Sequence, residues 1–176
     1  MLKGLKKELD DFRNKVVSQA KKNLSKKNSS GNLQRTISSD LKIGPNSFEL
    51  SFDLGAYGQF VDKGVKGAAP NRVKNGRQKA PNSPFRFNSS KQSIPTKALD
   101  KWAIMKGIAP RNEKGQFISR NTLKFLIARS IHAQGIKPSL FFTKPFEKEF
   151  KNLSNDVVKG FGLDVEDLLK YSLNGK

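Results

Sequence analysis

Residues 31–64 read GNLQRTISSDLKIGPNSFELSFDLGAYGQFVDKG, and the fold turns on how this stretch is parsed. Leu33, Ile37, Leu41 and Ile43 share one parity, with Arg35 and Ser39 between them on the same face. After the turn formers Gly44-Pro45-Asn46-Ser47, the residues Phe48, Leu50, Phe52 and Leu54 alternate with Glu49, Ser51 and Asp53. Period-two alternation on both sides of a turn predicts a β-hairpin with one buried face. The segment from Ala56 to Gly64 is expected to fold back, with Tyr57, Phe60 and Val61 closing over that face.

Upstream, Leu2, Leu5, Leu9, Phe12, Val16, Ala20 and Leu24 step by three or four. That spacing predicts a long amphipathic helix, and a hairpin with one apolar face needs such a cover. Membrane-surface binding is the competing use of a basic amphipathic helix; the hairpin that follows favours packing. The class expected is α+β: a small, mainly antiparallel sheet packed by a long N-terminal helix, with further helices from the middle and the C-terminal part.

Downstream the character changes. Residues 65–92 are rich in Gly, Pro and Lys/Arg and show no helical period. They read as a basic loop or arm, either functional or a mobile surface insertion. A helical insertion over 93–135 follows. It holds one helix with Leu99, Trp102 and Ala103 stopped by Gly107, and a second opened by Ser119 and closed by Gly135. Residues 136–142, IKPSLFF, read as extended and able to add a strand to the sheet. A helix with Phe146, Phe150, Leu153 and Val157 on one stripe comes next, and Gly160-Phe161-Gly162 is expected to break it. Asp164 then reads as the N-cap of a separate last helix over 159–176, docked on its own domain or on a neighbouring subunit.

The chain has 176 residues and a net charge of +19, enough length for one domain with a real core. The charge is uneven. Residues 62–137 hold seventeen basic side chains against three acidic ones, whereas 31–61 and 138–176 are close to neutral. Such a field favours a polyanion, most simply nucleic-acid phosphates; the alternatives are a solvated basic surface and contacts to acidic proteins. Arg72, Lys74, Arg77, Lys79 and Arg86 are the candidates to face DNA or such a partner. Trp102 reads as a core or interface anchor rather than a base-stacking platform.

Several classes of chemistry find no support. The chain has no cysteine and one histidine, His132, which speaks against disulfides, thiolate metal sites and most imidazole chemistry. His132 is expected near a helix C-terminus, where a partly protonated imidazole suits the dipole. Asp10 with Asp11, and Glu147 with Glu149, are too close in sequence to share a helix face. Asp53, Asp62 and Asp100 have no spacing that requires a divalent metal. Gly64-Val65-Lys66-Gly67 lacks the spacing of a phosphate-binding loop. No run reaches the ~20 apolar residues of a membrane helix, and the first residues lack a signal-peptide core. A soluble, intracellular, non-enzymatic protein without metal or cofactor is expected.

One resemblance emerges from the order of these elements. A leading amphipathic helix is followed by a G-x-L-x-x-x-I strand and a second alternating strand. Tyr57, Phe60, Val61 and Gly64 then form a Y-x-x-F-V-x-x-G element, and Phe141, Phe142, Pro145 and Phe146 form an aromatic-aromatic-x-x-P-F element that opens a helix. The pattern resembles the tail-completion or head–tail joining proteins of tailed bacteriophages, small structural proteins that form rings in the virion neck. Asp62 and Gly64 fit the acidic residue and the Gly of that family's Gly-Thr; Val65 stands where the Thr is expected. The resemblance covers residues 1–64 and 136–152. It implies a core built from 1–64 and 136–158, with Tyr57, Phe60, Phe141, Phe142 and Phe146 in that core or at a subunit seam. It further implies a homo-oligomeric ring between portal and tail, made in the host cytoplasm. The partners would be portal, adaptor and tail proteins and the backbone of DNA in passage, with no membrane. The alternative is a free, non-specific nucleic-acid-binding protein.

Overall fold

The computed structural model describes residues 3–25, 31–44, 47–73, 76–89, 94–109 and 111–174. It is α+β and divides into two compact units. The first comprises residues 1–56 and 140–176, the second 57–139. Leu2 and Lys74 lie outside the described residues.

The first unit is built on two long helices, α1 (Lys3–Ser25) and α6 (Thr143–Asn174). The three-four spacing places Leu5, Leu9, Phe12, Val16, Ala20 and Leu24 on one buried stripe of α1. The two helices run antiparallel: Gly4 meets Gly160 at one end, and at the other Asn23 Nδ2 donates to the Phe141 carbonyl at 3.2 Å. A short helix, α2 (Asn32–Thr36), leads into β1 (Ser38–Ile43), which pairs antiparallel with β2 (Phe48–Asp53). The register sets Leu41 opposite Leu50 and Ile43 opposite Phe48, so the alternating residues share a face. Gly44 N–H closes the connection by donating to the Ser47 carbonyl at 2.7 Å. Leu41, Leu50 and Phe52 on that face are half-buried, and cover falls away toward the hairpin tip. The Phe52 ring lies 6.3 Å from Phe12, 5.2 Å from Phe142 and 5.9 Å from Phe146, whereas Phe48 near the hairpin tip is 49 % exposed.

Three expectations about this unit are corrected. Leu33 and Ile37 are buried, but four residues apart on a helical turn, not on a strand; β1 begins only at Ser38. Tyr57–Gly64 does not belong with the hairpin: Gly58–Lys63 forms α3 in the second unit. Gly160-Phe161-Gly162 does not break the last helix, and 159–176 is not separate, because α6 runs continuously through it. Gly160 is present for close approach. A Cβ there would lie 2.8 Å from the Gly4 carbonyl oxygen, and a Cβ on Gly4 would overlap the Gly160 carbonyl.

The second unit contains α3, β3 (Val65–Lys66), a 3₁₀ turn at Pro70–Arg72, α4 (Thr96–Met105), α5 (Arg120–Gln134) and β4 (Gly135–Ile136). The strand expected from 136–142 is confined to β4 and pairs with β3, not with the hairpin. Ser119 caps α5, its Oγ accepting from Thr122 N–H at 3.2 Å. Gly107 and Gly135, both at positive φ, follow the ends of α4 and α5.

Candidate nucleic-acid and partner interface

The basic segment after Gly64 is held along much of its described length. A helix ends with carbonyls that lack intrahelical partners, and α5 offers three of them to this segment. Ala68 N–H donates to the His132 carbonyl at 2.9 Å, Ala69 N–H to Ala133 at 3.2 Å and Lys79 N–H to Gln134 at 2.8 Å. The Gln78 side-chain amide bonds both the N–H and the carbonyl of Gly67, at 2.6 and 3.1 Å. Buried Ser83 donates its Oγ–H to the Gly64 carbonyl at 2.7 Å and accepts from Phe85 N–H at 3.1 Å. On the other side of β3, Lys66 N–H donates to Phe85 and Phe87 N–H donates to Lys66.

His132 lies in the last turn of α5, as expected, and takes part in the same anchoring. It is buried, its Nε2 lies 2.8 Å from the Asn88 carbonyl, and its ring leans on Phe87 at 5.7 Å. Because a carbonyl only accepts, Nε2 carries the proton. The chain approaches α5 so closely that residue 67 has no room for a side chain. A Cβ on Gly67 would overlap the Ala133 carbonyl.

This anchoring presents the basic side chains outward. Arg72, Arg77, Lys79 and Arg86 are all exposed on the pinned segment. Arg129 of α5 joins Arg72, donating to its carbonyl at 3.4 Å. The unit carries seventeen basic side chains against three acidic, a net charge of +14. Two of those three acids are engaged inside it: Asp62 is buried, and Asp100 pairs with Lys124 at 3.8 Å. Asp53, in the first unit, accepts from Gly55 N–H at 2.7 Å. Among the described residues no group of three or more His, Asp or Glu side chains could hold a metal ion. No described helix is long and apolar enough to cross a membrane.

The aromatic candidates separate into two sets. In the first unit Phe141 is fully buried, while Phe142 and Phe146 stack on each other at 5.7 Å within the Phe12–Phe52 cluster. In the second unit Phe60 packs its ring 4.5 Å from Phe85, and Tyr57 is 45 % exposed. Trp102 lies on a groove of about 520 Å³ with Leu99, Ile127 and Ile131, where the exposed Lys79 and Lys137 also contribute.

Sequence reasoning did not find two features. Arg111 stacks over the Phe117 ring at 4.0 Å on the connector between α4 and α5. Asp164 caps a helix other than its own: its two carboxylate oxygens accept from Gly4 N–H at 2.7 Å and Leu5 N–H at 2.9 Å, in the first turn of α1. Those backbone hydrogen bonds, Leu5 first, lower the Asp164 pKa below the usual aspartate value. The residue type was legible as a cap, but its target lies 160 residues away in the chain.

No protein-family model, curated protein or solved structure matches the chain.

Proposed function

We propose that the chain is a structural protein of the neck of a tailed bacteriophage, its copies forming a ring between portal and tail through which DNA passes. The observation that carries this reading is the segregation of charge. Residues 140–176 of the first unit balance six basic against six acidic side chains, while the second unit holds +14. Neutral surfaces suit contacts between identical subunits, because like charges repel on close approach. A basic surface around a channel suits weak, distributed contacts to phosphate, without the base reading that would stall DNA in passage. The exposed Arg72, Arg77, Lys79 and Arg86 supply such contacts from an anchored segment. The resemblance of the motif order to tail-completion proteins points the same way.

The test is the light-scattering mass after size exclusion at low and high salt, with negative-stain images of any large species. A closed ring is the expected outcome. A monomer that binds random DNA with steeply salt-dependent affinity would overturn it in favour of a free nucleic-acid-binding protein.

A further inference from the structure

The far end of α6 carries more apolar surface than its own unit covers. Its last ten residues, about 15 Å of helix, extend past the first described turn of α1, where Asp164 caps that helix. On this stretch Val165, Leu168 and Leu169 follow an i, i+3, i+4 spacing, and Leu168 and Leu169 are 63 % and 57 % exposed. A helix of that length gains little stability in water on its own, and an apolar stripe so exposed suits a groove. The same stretch is acidic. Residues 164–174 hold Asp164, Glu166 and Asp167 against Lys170 alone. Asp164 is held by α1 and Glu166 pairs with Lys170 at 2.6 Å, which leaves Asp167 as the main acidic contributor.

The second unit offers the complementary surface. The groove between α4 and α5 has an apolar lining of Leu99, Trp102, Ile127 and Ile131, and its two charged contributors, Lys79 and Lys137, are both basic. The surrounding unit is strongly positive. An acidic amphipathic helix matches it in both polarity and sign.

We propose that the α6 end of one copy docks in the α4–α5 groove of a second copy of this chain. The two surfaces differ, so the contact is head-to-tail, the kind that propagates into a ring or a filament. Val165, Leu168 and Leu169 enter the groove beside Trp102, and Asp167 faces Lys79 and Lys137. This rests on the self-association in the ring reading above, and it names the surfaces that perform it.

Charge reversal tests it on the full chain. Glu166→Lys with Asp167→Lys reverses the helix end, and Lys79→Glu with Lys137→Glu reverses the groove. Each double variant alone is expected to shift the light-scattering mass toward monomer, with the apparent dissociation constant raised on the order of tenfold or more. An equimolar mixture of the two is expected to recover the wild-type mass, because every contact in an alternating assembly again joins opposite charges. Trp102, the single tryptophan, gives a readout that needs no variant: its emission is expected to shift to the blue as wild-type protein is concentrated.

Rings that persist unchanged in both variants overturn the docking and leave the ring reading standing. Loss of mass with the helix variant but not the groove variant overturns it in favour of α6 pairing with α6. A wild-type chain that stays monomeric with constant Trp102 emission overturns the docking and the self-assembling ring together.

Discussion

Among the described residues of the first unit, the buried hydrophobic side chains are Leu5, Leu9, Phe12, Val16, Leu24, Leu33, Ile37 and Phe141, with Ala20. In the second they are four alanines and Val65, beside the buried polar Asp62, Ser83 and His132. The first unit is therefore held by burial of large apolar groups. The second is held by hydrogen bonds that fasten a glycine- and proline-rich strand of chain to the last turn of α5. Apolar burial stabilises by roughly 25 cal/mol per Å², and a four-alanine core has little area to bury. Net hydrogen bonds contribute about 1 kcal/mol each, so the second unit needs many of them in concert. Both units hold seventeen basic side chains, but the first sets twelve acidic ones against them and the second only three, so the second, at +14 against +5, carries the greater self-repulsion.

The contrast predicts which truncations hurt. Phe141, in the turn just before α6, is 1 % exposed. Phe141→Ala is expected to cost about 3–5 kcal/mol, as a large aromatic removed from a packed core does. Urea unfolding followed by helical ellipticity reads this. A loss under 1 kcal/mol would show that the first unit is not burial-held.

The counterpart in the second unit is Ser83→Ala, which removes one oxygen and almost no volume. The Gly64 carbonyl and Phe85 N–H would lose their partner, at a cost of about 1–3 kcal/mol. The fluorescence of Trp102 in α4 follows this unit's unfolding. An unchanged midpoint would mean the pinned segment is not what holds it.

These two units also explain which parts of the fold were legible. The stripe on α1, the hairpin with its alternating second strand, and the caps Ser119 and Gly135 were readable because they are local patterns of period 3.6, of period two, or of one turn. The anchoring of 64–73 and 76–89 was not, because it uses backbone N–H groups, one glutamine, one serine and one histidine, whose partners lie up to 64 residues away. Exposed cations were legible as composition, but not the surface that displays them. Gly160 was misread because a glycine's two uses, ending a helix and admitting a neighbouring helix, look identical in sequence. Leu33 and Ile37 were misread because a four-residue step satisfies both the strand parity and the helical turn.

The glycines of α6 sharpen the contrast by sign. Gly162 has open space where a Cβ would stand, so Gly162→Ala is expected to stabilise by about 0.5–1 kcal/mol through helix propensity. Gly160→Ala gains the same propensity but must push against the Gly4 carbonyl and Glu8 Cγ. Overpacking of this kind costs about 1–3 kcal/mol, so the net effect is destabilising. Thermal melts of the two variants should therefore move in opposite directions. Equal stabilisation by both would show that Gly160 is not held against Gly4.

The smallest expected effect is a pH dependence belonging to the first unit. The Leu5 and Gly4 N–H groups favour the charged form of Asp164 and hold its pKa below the ordinary aspartate value. Folded protein therefore binds this proton less readily than unfolded chain, and stability rises with pH wherever the unfolded state binds more protons. The contribution is fully present above about pH 4, near the unfolded aspartate pKa, and is lost as pH falls through the lower folded value. Asp164→Asn removes the titration while keeping an acceptor for the N-terminal turn of α1. The variant should melt below wild type at neutral pH, and the gap should close between pH 4 and strongly acidic solution. A gap that stays constant on acidification would mean that the carboxylate charge contributes nothing at this cap, and that Asp164 serves only as a neutral acceptor.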